Sequence, residues 1–286
     1  MLYFGYGSNL NQKNFDERTA RKRPAQKTIS FKEIAYLPDY RPAYSRKTES
    51  GYGALDIVKE PGTVTLGGLF EVDDEVIPAL EVKEGVGSNC YKKLTVTVIT
   101  DSGIVNAETY EVVEKFDYVK PCSEYVEIVR QGMKDHHFPE WWIKKMDDAA
   151  ENKEKAAPIR VFVYGTLRKG GCLAGSLANC TRTPAALKGR LYDLGWYPGI
   201  YLDENGIEIV GEIVEVDAEQ LIKLDGIEGF RGYDGNSLYH RIWVPEKKLN
   251  LKVRDNFGGC WVYTYNRPES ELKPQSLVRS GDWFKK

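Results

Sequence analysis

One pattern of nineteen positions occurs twice in the chain, with no gap in either copy. A second similarity precedes each copy, since Tyr-Gly-Ser at 6–8 corresponds to Tyr-Gly-Thr at 164–166. The spacing between the copies is far above the ~20 to 50 residues of solenoid repeats, so the chain is predicted to contain two related domains in tandem. The repeated positions are Gly67, Glu71, Val72, Asp73, Glu75, Leu80, Glu84 and Gly85, and then Gly211, Glu215, Val216, Asp217, Glu219, Leu224, Glu228 and Gly229.

The length of the chain fits two such domains, which we call modules. At 286 residues the chain exceeds a typical single domain, and each half has enough residues to bury its own core. The segment from about 147 to 157 is rich in small and charged residues, and Pro158 follows it directly before an apolar strand. We therefore expect module one at 1–147, a linker, and module two at 158–286.

Charge and cysteine usage limit the partners and the compartment. The formal net charge of −2 offers no general attraction to nucleic acid or to an anionic membrane. The five cysteines are scattered and form no C-x-x-C pair, which is typical of a reducing compartment. The chain begins directly with a strand, and no apolar run approaches ~18 residues. We expect a cytoplasmic protein with no nucleic-acid or membrane partner.

Hydrophobic patterns predict modules that are mainly β. Each module begins with a short apolar strand, Leu2–Phe4 or Val161–Val163, that leads into a glycine turn. Because few helices are available as crossovers, antiparallel pairing into a small barrel is favoured over a parallel sheet. The predicted class is α+β, with two tandem small mixed β-barrel domains and flanking helices. Further strands are predicted at 53–58, 64–71, 94–99, 187–191, 207–216, 239–244 and 261–265, and late helices of module one at 123–132 and 139–146.

The repeated acidic segment predicts a helix that ends in a glutamate in each module. Leu80 and Glu84 lie four residues apart, as do Leu224 and Glu228, so each glutamate continues an apolar stripe. The glycine that follows each glutamate ends the helix. Partial desolvation of such a carboxyl group raises its pKa and makes it usable as a proton carrier near neutral pH. The alternative is a glutamate that points into water, and its occurrence at the same offset twice favours a function.

The glycine turn after the first strand is the second candidate for chemistry. Its backbone N–H groups have no ladder partner and can converge on one point, where a small carboxylate fits. A tight turn that simply needs glycine is the alternative. The turn is no phosphate loop, since neither G-x-x-x-x-G-K-[ST] nor G-x-G-x-x-G is present there. Ser8 lacks the G-x-S-x-G context of a nucleophile, and the three histidines offer neither its partner nor a metal site.

The order of these motifs resembles a known superfamily. Module one resembles gamma-glutamylcyclotransferase, and module two resembles the gamma-glutamylamine cyclotransferase branch. Each resemblance covers nearly the whole module. In module one it lies in YFGYGSNL at 3–10, GYGA at 51–54, LEVKEGV at 80–86, Tyr91, PCSEY at 121–125 and 132–139. In module two it lies in VYGTLRKG at 163–170, YPG at 197–199, GE at 211–212, LDGIE at 224–228, YHR at 239–241 and SGDW at 280–283.

The resemblance implies a small β-barrel with flanking helices, no cofactor, no metal, and a small γ-glutamyl substrate. It implies that Glu84 and Glu228 are the general acid/base residues and that the glycine turn binds the glutamyl group. The substrate-binding residues that it implies are Tyr6, Gly7, Ser8, Asn9, Leu10 and Tyr91 in module one, and Tyr164, Gly165, Thr166, Leu167 and Tyr239 in module two.

The implied reaction is an intramolecular attack of the substrate's α-amino nitrogen on its γ-carbonyl, which gives 5-oxoproline and an amine. A non-catalytic module that binds γ-glutamyl groups or carboxylates is the alternative. A hydrolase or amine acyltransferase is disfavoured, because no Ser-His set is present. The rims of the two modules differ in sequence, so we expect separate, non-equivalent sites whose leaving amines the sequence leaves open.

Overall fold

The computed structural model describes residues 1–22, 24, 27–154, 156–233, 235–251 and 258–286. Its contacts divide the chain into two compact units, Met1–Ala156 (unit 1) and Ala157–Lys286 (unit 2). Within the expected linker, a helix continues to Ala150, and Lys155 lies outside the described residues. The domain limits 1–147 and 158–286 stay a prediction.

Unit 1 is built around a closed barrel of five strands. Its strands are β1 (Leu2–Gly5), β2 (Ile29–Lys47), β3 (Gly53–Val72), β4 (Tyr91–Thr100) and β5 (Gly103–Val112). They pair in the order β1, β3, β2, β4, β5, and β5 closes the ring by pairing in parallel with β1. The expectation of antiparallel pairing is wrong at this pair, because an odd number of strands cannot alternate in direction around a ring.

The β3 strand is continuous, although the sequence predicts two pieces at 53–58 and 64–71. Its Pro-Gly step at 61–62 is a turn signal. The structure accommodates this step through a β-bulge, since the β2–β3 register shifts between Pro38 and Tyr40. The Gly62 N–H donates to Asp39 Oδ1 at 2.6 Å, and Asp39 itself has a φ of 60°. The bulge therefore keeps β3 continuous across a Pro-Gly step at which the sequence predicts a turn.

Helices cover parts of this barrel. They are α1 (Gln12–Thr19), α2 (Ile77–Lys83), α3 (Ser123–Asp135) and α4 (Glu140–Ala150). The predicted helices near 123–132 and 139–146 are confirmed, and each is a few residues longer than predicted. No apolar stripe marks α1 in the sequence, because Phe15 is its one buried apolar side chain. The α2 helix buries Leu80 completely and places Glu84 at its C-terminal end.

Unit 2 is built around a sheet of seven strands, whereas the five strands of unit 1 form a closed barrel. Its elements are β6 (Ile159–Val163), β7 (Arg182–Asp193), β8 (Pro198–Leu202), β9 (Ile207–Val216), α5 (Ala218–Ile227), β10 (Tyr239–Pro245), β11 (Leu249–Leu251) and β12 (Gly259–Tyr265). The strands form one sheet in the order β10, β12, β6, β9, β7, β11, and β8 pairs with β7. The β6 and β12 strands are parallel, with Val161 opposite Trp261, so the antiparallel expectation fails at the equivalent pair.

The predicted α+β class is confirmed by these two units. The core of unit 2 contains fully buried aliphatic side chains such as Leu191, Ile200 and Ile209, which project from neighbouring strands of the sheet. In the described part of the chain, no helix has the length and apolar character needed to cross a membrane.

Candidate active site

A small pocket of unit 2 lies beside the turn that follows β6. Its volume is about 30 Å³, which is enough for a group the size of a carboxylate. The end of α5, the start of β10 and the segment before β8 complete its wall. The pocket is lined by Phe162, Val163, Tyr164, Gly165, Thr166, Leu167, Tyr197, Pro198, Glu228, Tyr239 and Tyr263.

Glu228 reaches this pocket because of the way in which α5 begins and ends. The helix starts with a capping box between Asp217 and Gln220. Leu224 is buried one turn before the glutamate, as the apolar stripe predicts. Gly229 follows with a φ of 63°, a left-handed conformation that ends the helix and is unstrained only for glycine. Glu228 therefore lies at the C-cap, where the chain turns away.

The surroundings of Glu228 favour its neutral form. Burial raises the pKa of Glu228 to about 7, and the nearby Asp225 carboxylate contributes in the same direction. Asp225 is itself held in place, since it accepts hydrogen bonds from the Tyr263 hydroxyl at 2.6 Å and from Arg241 Nη1 at 3.1 Å. A carboxyl group with this pKa can both accept and release a proton at neutral pH.

Two tyrosine hydroxyls of the pocket are fixed by backbone carbonyls. Tyr164 donates to the carbonyl of Tyr263, and Tyr239 donates to the carbonyl of Pro198, each at 2.6 Å. Burial raises the pKa of both phenols far above the ordinary value, so they stay neutral. Because each hydroxyl hydrogen is already donated, the oxygens face other groups as hydrogen-bond acceptors.

The turn of unit 2 requires glycine at its first position. A Cβ on Gly165 would lie 2.3 Å from Pro198 Cγ, far inside van der Waals contact. The next turn begins with the Arg168 N–H donating to the Gly165 carbonyl at 3.0 Å. Close contact with Pro198 thus accounts for the glycine, in addition to any role of its N–H group.

In unit 1 the corresponding glutamate lies in a polar network. Asn9 Nδ2 donates to Glu84 Oε1 at 2.7 Å. Lys83 Nζ lies 3.8 Å from the same oxygen, and it donates to Asn9 Oδ1 and to Ser8 Oγ, the latter at 3.4 Å. The side chains of Lys83 and Glu84 are only 7% and 13% exposed. The turn and the glutamate of unit 1 are therefore joined by a buried ammonium group.

The tyrosines of unit 1 repeat the arrangement of unit 2. Tyr6 donates to the carbonyl of Tyr110 at 2.6 Å, and Tyr91 donates to the carbonyl of Leu55 at 2.7 Å. The Leu10 N–H is donated to the Gly7 carbonyl at 3.0 Å, so this N–H group is not free for the anion nest that the sequence predicts. A nest in this turn would use the N–H groups that precede Leu10.

Comparison with known proteins identifies the family of both halves. Residues 161–285 match the family described as gamma-glutamyl cyclotransferase, AIG2-like, and residues 65–146 match the AIG2-like family. The gamma-glutamylcyclotransferase family protein YtfP of Escherichia coli K12 is 32% identical over 133 residues, which are 44% of this chain and 96% of that protein. The chain belongs to the gamma-glutamylcyclotransferase family.

Further relatives of this gamma-glutamylcyclotransferase family member are more distant. The gamma-glutamylcyclotransferase of Bos taurus is 27% identical over 175 residues, which are 59% of this chain and 88% of that protein. A solved structure of a gamma-glutamyl cyclotransferase gives a TM-score of 0.46 at 24% identity and covers 51% of this chain and 86% of its own. The family models and the relative from Escherichia coli confirm the family resemblance that the motifs indicate.

The structure of this family member brings the expected site residues together within each unit. In unit 2, Glu228 and the expected binding residues Tyr164, Gly165, Thr166, Leu167 and Tyr239 all line one pocket. In unit 1, Ser8, Asn9 and Glu84 are joined through Lys83. The roles of these residues stay predictions. Among the described residues, no three His, Cys, Asp or Glu side chains form a group that could hold a metal ion.

Sequence reasoning missed several residues of both sites. Tyr197 and Pro198 line the pocket of unit 2 and belong to the YPG motif of the resemblance, but they were not among the expected binding residues. Tyr263 also lines the pocket, and nothing in its local sequence marks it. Lys83 is the largest omission in unit 1. The available signal was a difference between the copies, because Ile227 stands where the first copy has Lys83. The neighbouring positions Leu80, Glu84 and Gly85 are identical in the two copies.

Proposed function

We propose that the chain is a gamma-glutamylcyclotransferase that acts in unit 2, where it releases 5-oxoproline and an amine from a small γ-glutamyl amide. The observation that carries the proposal is the position of Glu228, whose pKa is raised to about 7, in the same pocket as the turn Gly165–Leu167. Membership of the family supports it. A proton carrier next to a space for a carboxylate suits this reaction.

The reaction needs only positioning and proton transfer. The α-nitrogen of the substrate attacks its own γ-carbonyl carbon, a new C–N bond closes a five-membered ring, and the original amide C–N bond breaks. The α-ammonium group has three hydrogens, of which the ring nitrogen keeps one. The leaving nitrogen receives the other two and departs as an ammonium ion. Because the nucleophile is part of the substrate, correct folding of the substrate in the pocket supplies much of the rate.

Each proposed role in unit 2 follows from a contact. Glu228 carries the two protons, one after the other, from the substrate's α-nitrogen to the leaving nitrogen. The oxygens of Tyr164 and Tyr239, whose hydrogens are donated to backbone carbonyls, accept hydrogen bonds from the α-ammonium group. The N–H groups of the Gly165–Leu167 turn hold the α-carboxylate. The proposal requires no cofactor and no macromolecular partner.

Product analysis tests this proposal. The purified chain is incubated with γ-glutamyl amides of amino acids, of the lysine side-chain amine and of small polyamines. We expect at least one amide to give 5-oxoproline and free amine in equal amounts. Release of glutamate in place of 5-oxoproline would indicate hydrolysis and reject the proposal, as would the absence of any product from the whole panel.

A second function is supported for unit 1, namely non-catalytic binding of a carboxylate. The observation in its favour is that Glu84 already accepts a hydrogen bond from Asn9 and lies beside the Lys83 ammonium group. A carboxylate that already has these two polar partners is held in place as part of a binding network. The catalytic role of Glu84 stays a prediction, and these contacts favour the binding alternative.

A further inference from the structure

Lys83 contacts both the Glu84 carboxylate and the Ser8 turn, the two parts of unit 1 that a bound substrate would have to contact. Its Nζ atom lies 3.8 Å from the Glu84 carboxylate and 3.4 Å from the Ser8 hydroxyl in the turn, and it also donates to Asn9 Oδ1. The side chain is 7% exposed, so this position lies inside the site and not on its rim. Ile227 at the equivalent position of unit 2 is 42% exposed.

The Lys83 ammonium group lies where the proposed reaction requires the α-ammonium group of a substrate. In a working site, the α-ammonium group of the substrate must come within hydrogen-bond distance of the catalytic glutamate, while its α-carboxylate lies in the turn. In unit 1 the Lys83 ammonium group already lies between these two places. A second ammonium group from a ligand would be repelled by it and would compete for the same carboxylate oxygen.

The charges around Lys83 favour a ligand with a net negative charge. Burial lowers the pKa of Lys83, and the nearby Arg18 and Arg46 lower it further, while Glu84 acts in the opposite direction. The Arg46 guanidinium also lies 4.9 Å from the centre of the Tyr91 ring, at the edge of the site. Two arginines and one glutamate thus act on the Lys83 charge, and a ligand that brings one more carboxylate improves this balance.

We infer that unit 1 binds small monocarboxylates that lack an α-ammonium group, with Lys83 in the place that this group of a substrate would occupy. This inference rests on the proposed function, since the reaction defines that place. The carboxylate of the ligand lies at the Ser8 turn, where Lys83 donates to it. Lys83 is the residue that selects against γ-glutamyl compounds with a free α-amino group in this unit.

Two probes that differ only in the α-amino group test this inference. Glutaramate is glutamine without its α-amino group, so glutaramate has a net negative charge and glutamine is a zwitterion at neutral pH. Binding of each probe to the full chain is measured by isothermal titration calorimetry. The variants are Lys83→Met, and Ile227→Met as the matched control at the equivalent position of the repeat. Should Lys83→Met fail to fold, Lys83→Gln provides the same comparison without the charge.

We expect the wild-type chain to bind glutaramate. The Lys83→Met variant should bind it at least about tenfold more weakly, because it loses a charge-assisted hydrogen bond to the ligand carboxylate. Ile227→Met should agree with the wild type within about twofold. Equal glutaramate affinity of the wild type and the Lys83 variant would overturn the inference, and so would an equal loss of glutamine affinity. Release of 5-oxoproline is measured on the same wild-type sample, so failure of the proposed function is seen separately.

Discussion

Glu84 in unit 1 and Glu228 in unit 2 lie at the same point of equivalent helices, each directly before a left-handed glycine. Their neighbours differ. Glu84 accepts a hydrogen bond from Asn9 and lies beside the Lys83 ammonium group, whereas the equivalent positions in unit 2 hold the apolar side chains Leu167 and Ile227. The backbone has kept one geometry, while two substitutions change what surrounds the carboxylate.

This comparison shows that the position of a glutamate at the end of the helix does not by itself determine the surroundings of its carboxyl group. Desolvation without a counter-ion raises the pKa of Glu228 to about 7, near the pH at which proton transfer in both directions is most effective. In unit 1 an amide group donates to the Glu84 carboxylate, and an ammonium group lies 3.8 Å from it. The proposed functions thus assign a catalytic site to one copy of the fold and a binding site to the other.

The largest effect is expected when the proton carrier itself is removed. Glu228→Gln keeps the shape of the side chain but cannot transfer the proton, so kcat/KM for 5-oxoproline release should fall about 10²-fold to 10⁴-fold. Glu219→Gln is the control, because Glu219 is exposed on the same helix and pairs with Lys223 at 2.7 Å. A rate of the Glu228 variant within about twofold of the wild type would contradict the proposal that Glu228 is the proton carrier of unit 2.

The second prediction concerns stability. Glu228 has a pKa of about 7 in the folded chain and an ordinary value of 4.5 when unfolded, so the folded chain binds more protons between these values. Stability should therefore decrease as the pH rises through this window, by at most about 3 kcal/mol, with a reduction for partial solvent access. Denaturant unfolding at several pH values measures this decrease. Glu228→Gln should lack this component, and an unchanged pH dependence in that variant would contradict the account.

The glycines at the head of the two turns give a third contrast. Gly165→Ala should destabilise unit 2 by about 1 to 3 kcal/mol, because its Cβ would overlap Pro198. Gly7→Ala should cost less, since the nearest atom to its Cβ is the Tyr125 hydroxyl at 3.5 Å and its φ of −125° is accessible to alanine. Differential scanning calorimetry of both variants measures the difference. Equal costs would mean that Pro198 does not determine the residue at position 165.

The smallest effect is expected at the start of the equivalent helices. Asp217 accepts the Gln220 N–H in a capping box, so Asp217→Ala should cost about 1 kcal/mol. Asp73 makes no side-chain cap, and its exposed pair with Lys27 at 3.4 Å contributes little to stability. Chemical denaturation compares the two variants. A larger cost at Asp73 would show that the two helices differ in a way that their caps do not explain.

The sequence was informative where the determinants are local. The spacing of Leu80 and Glu84, repeated at Leu224 and Glu228, predicted two helices that end at a glutamate, and the structure confirms both. The strands predicted for unit 2 at 161–163, 187–191, 207–216, 239–244 and 261–265 are also confirmed, because short apolar runs between turn residues define them. In contrast, β2 escaped prediction, since its bulges interrupt the alternation of apolar and polar residues that marks a strand.

The environment of each glutamate could not be predicted, because it depends on residues far apart in the chain. Lys83 meets Ser8 across 75 positions, and Tyr263 reaches Asp225 across 38. No spacing rule connects such residues. The sequence did contain one usable sign, the change from Lys83 to Ile227 inside an otherwise similar segment. The effect of this change could not be inferred without knowing where the Lys83 side chain points.

A direct titration of Glu228 tests the central claim, that desolvation makes this carboxyl group a proton carrier at neutral pH. The full chain is labelled with ¹³C at the glutamate side-chain carboxyl carbon, and Glu228→Gln identifies the resonance by its absence. The account predicts that burial holds the pKa of this carboxyl group at about 7. A titration near the ordinary value of 4.5 would contradict it.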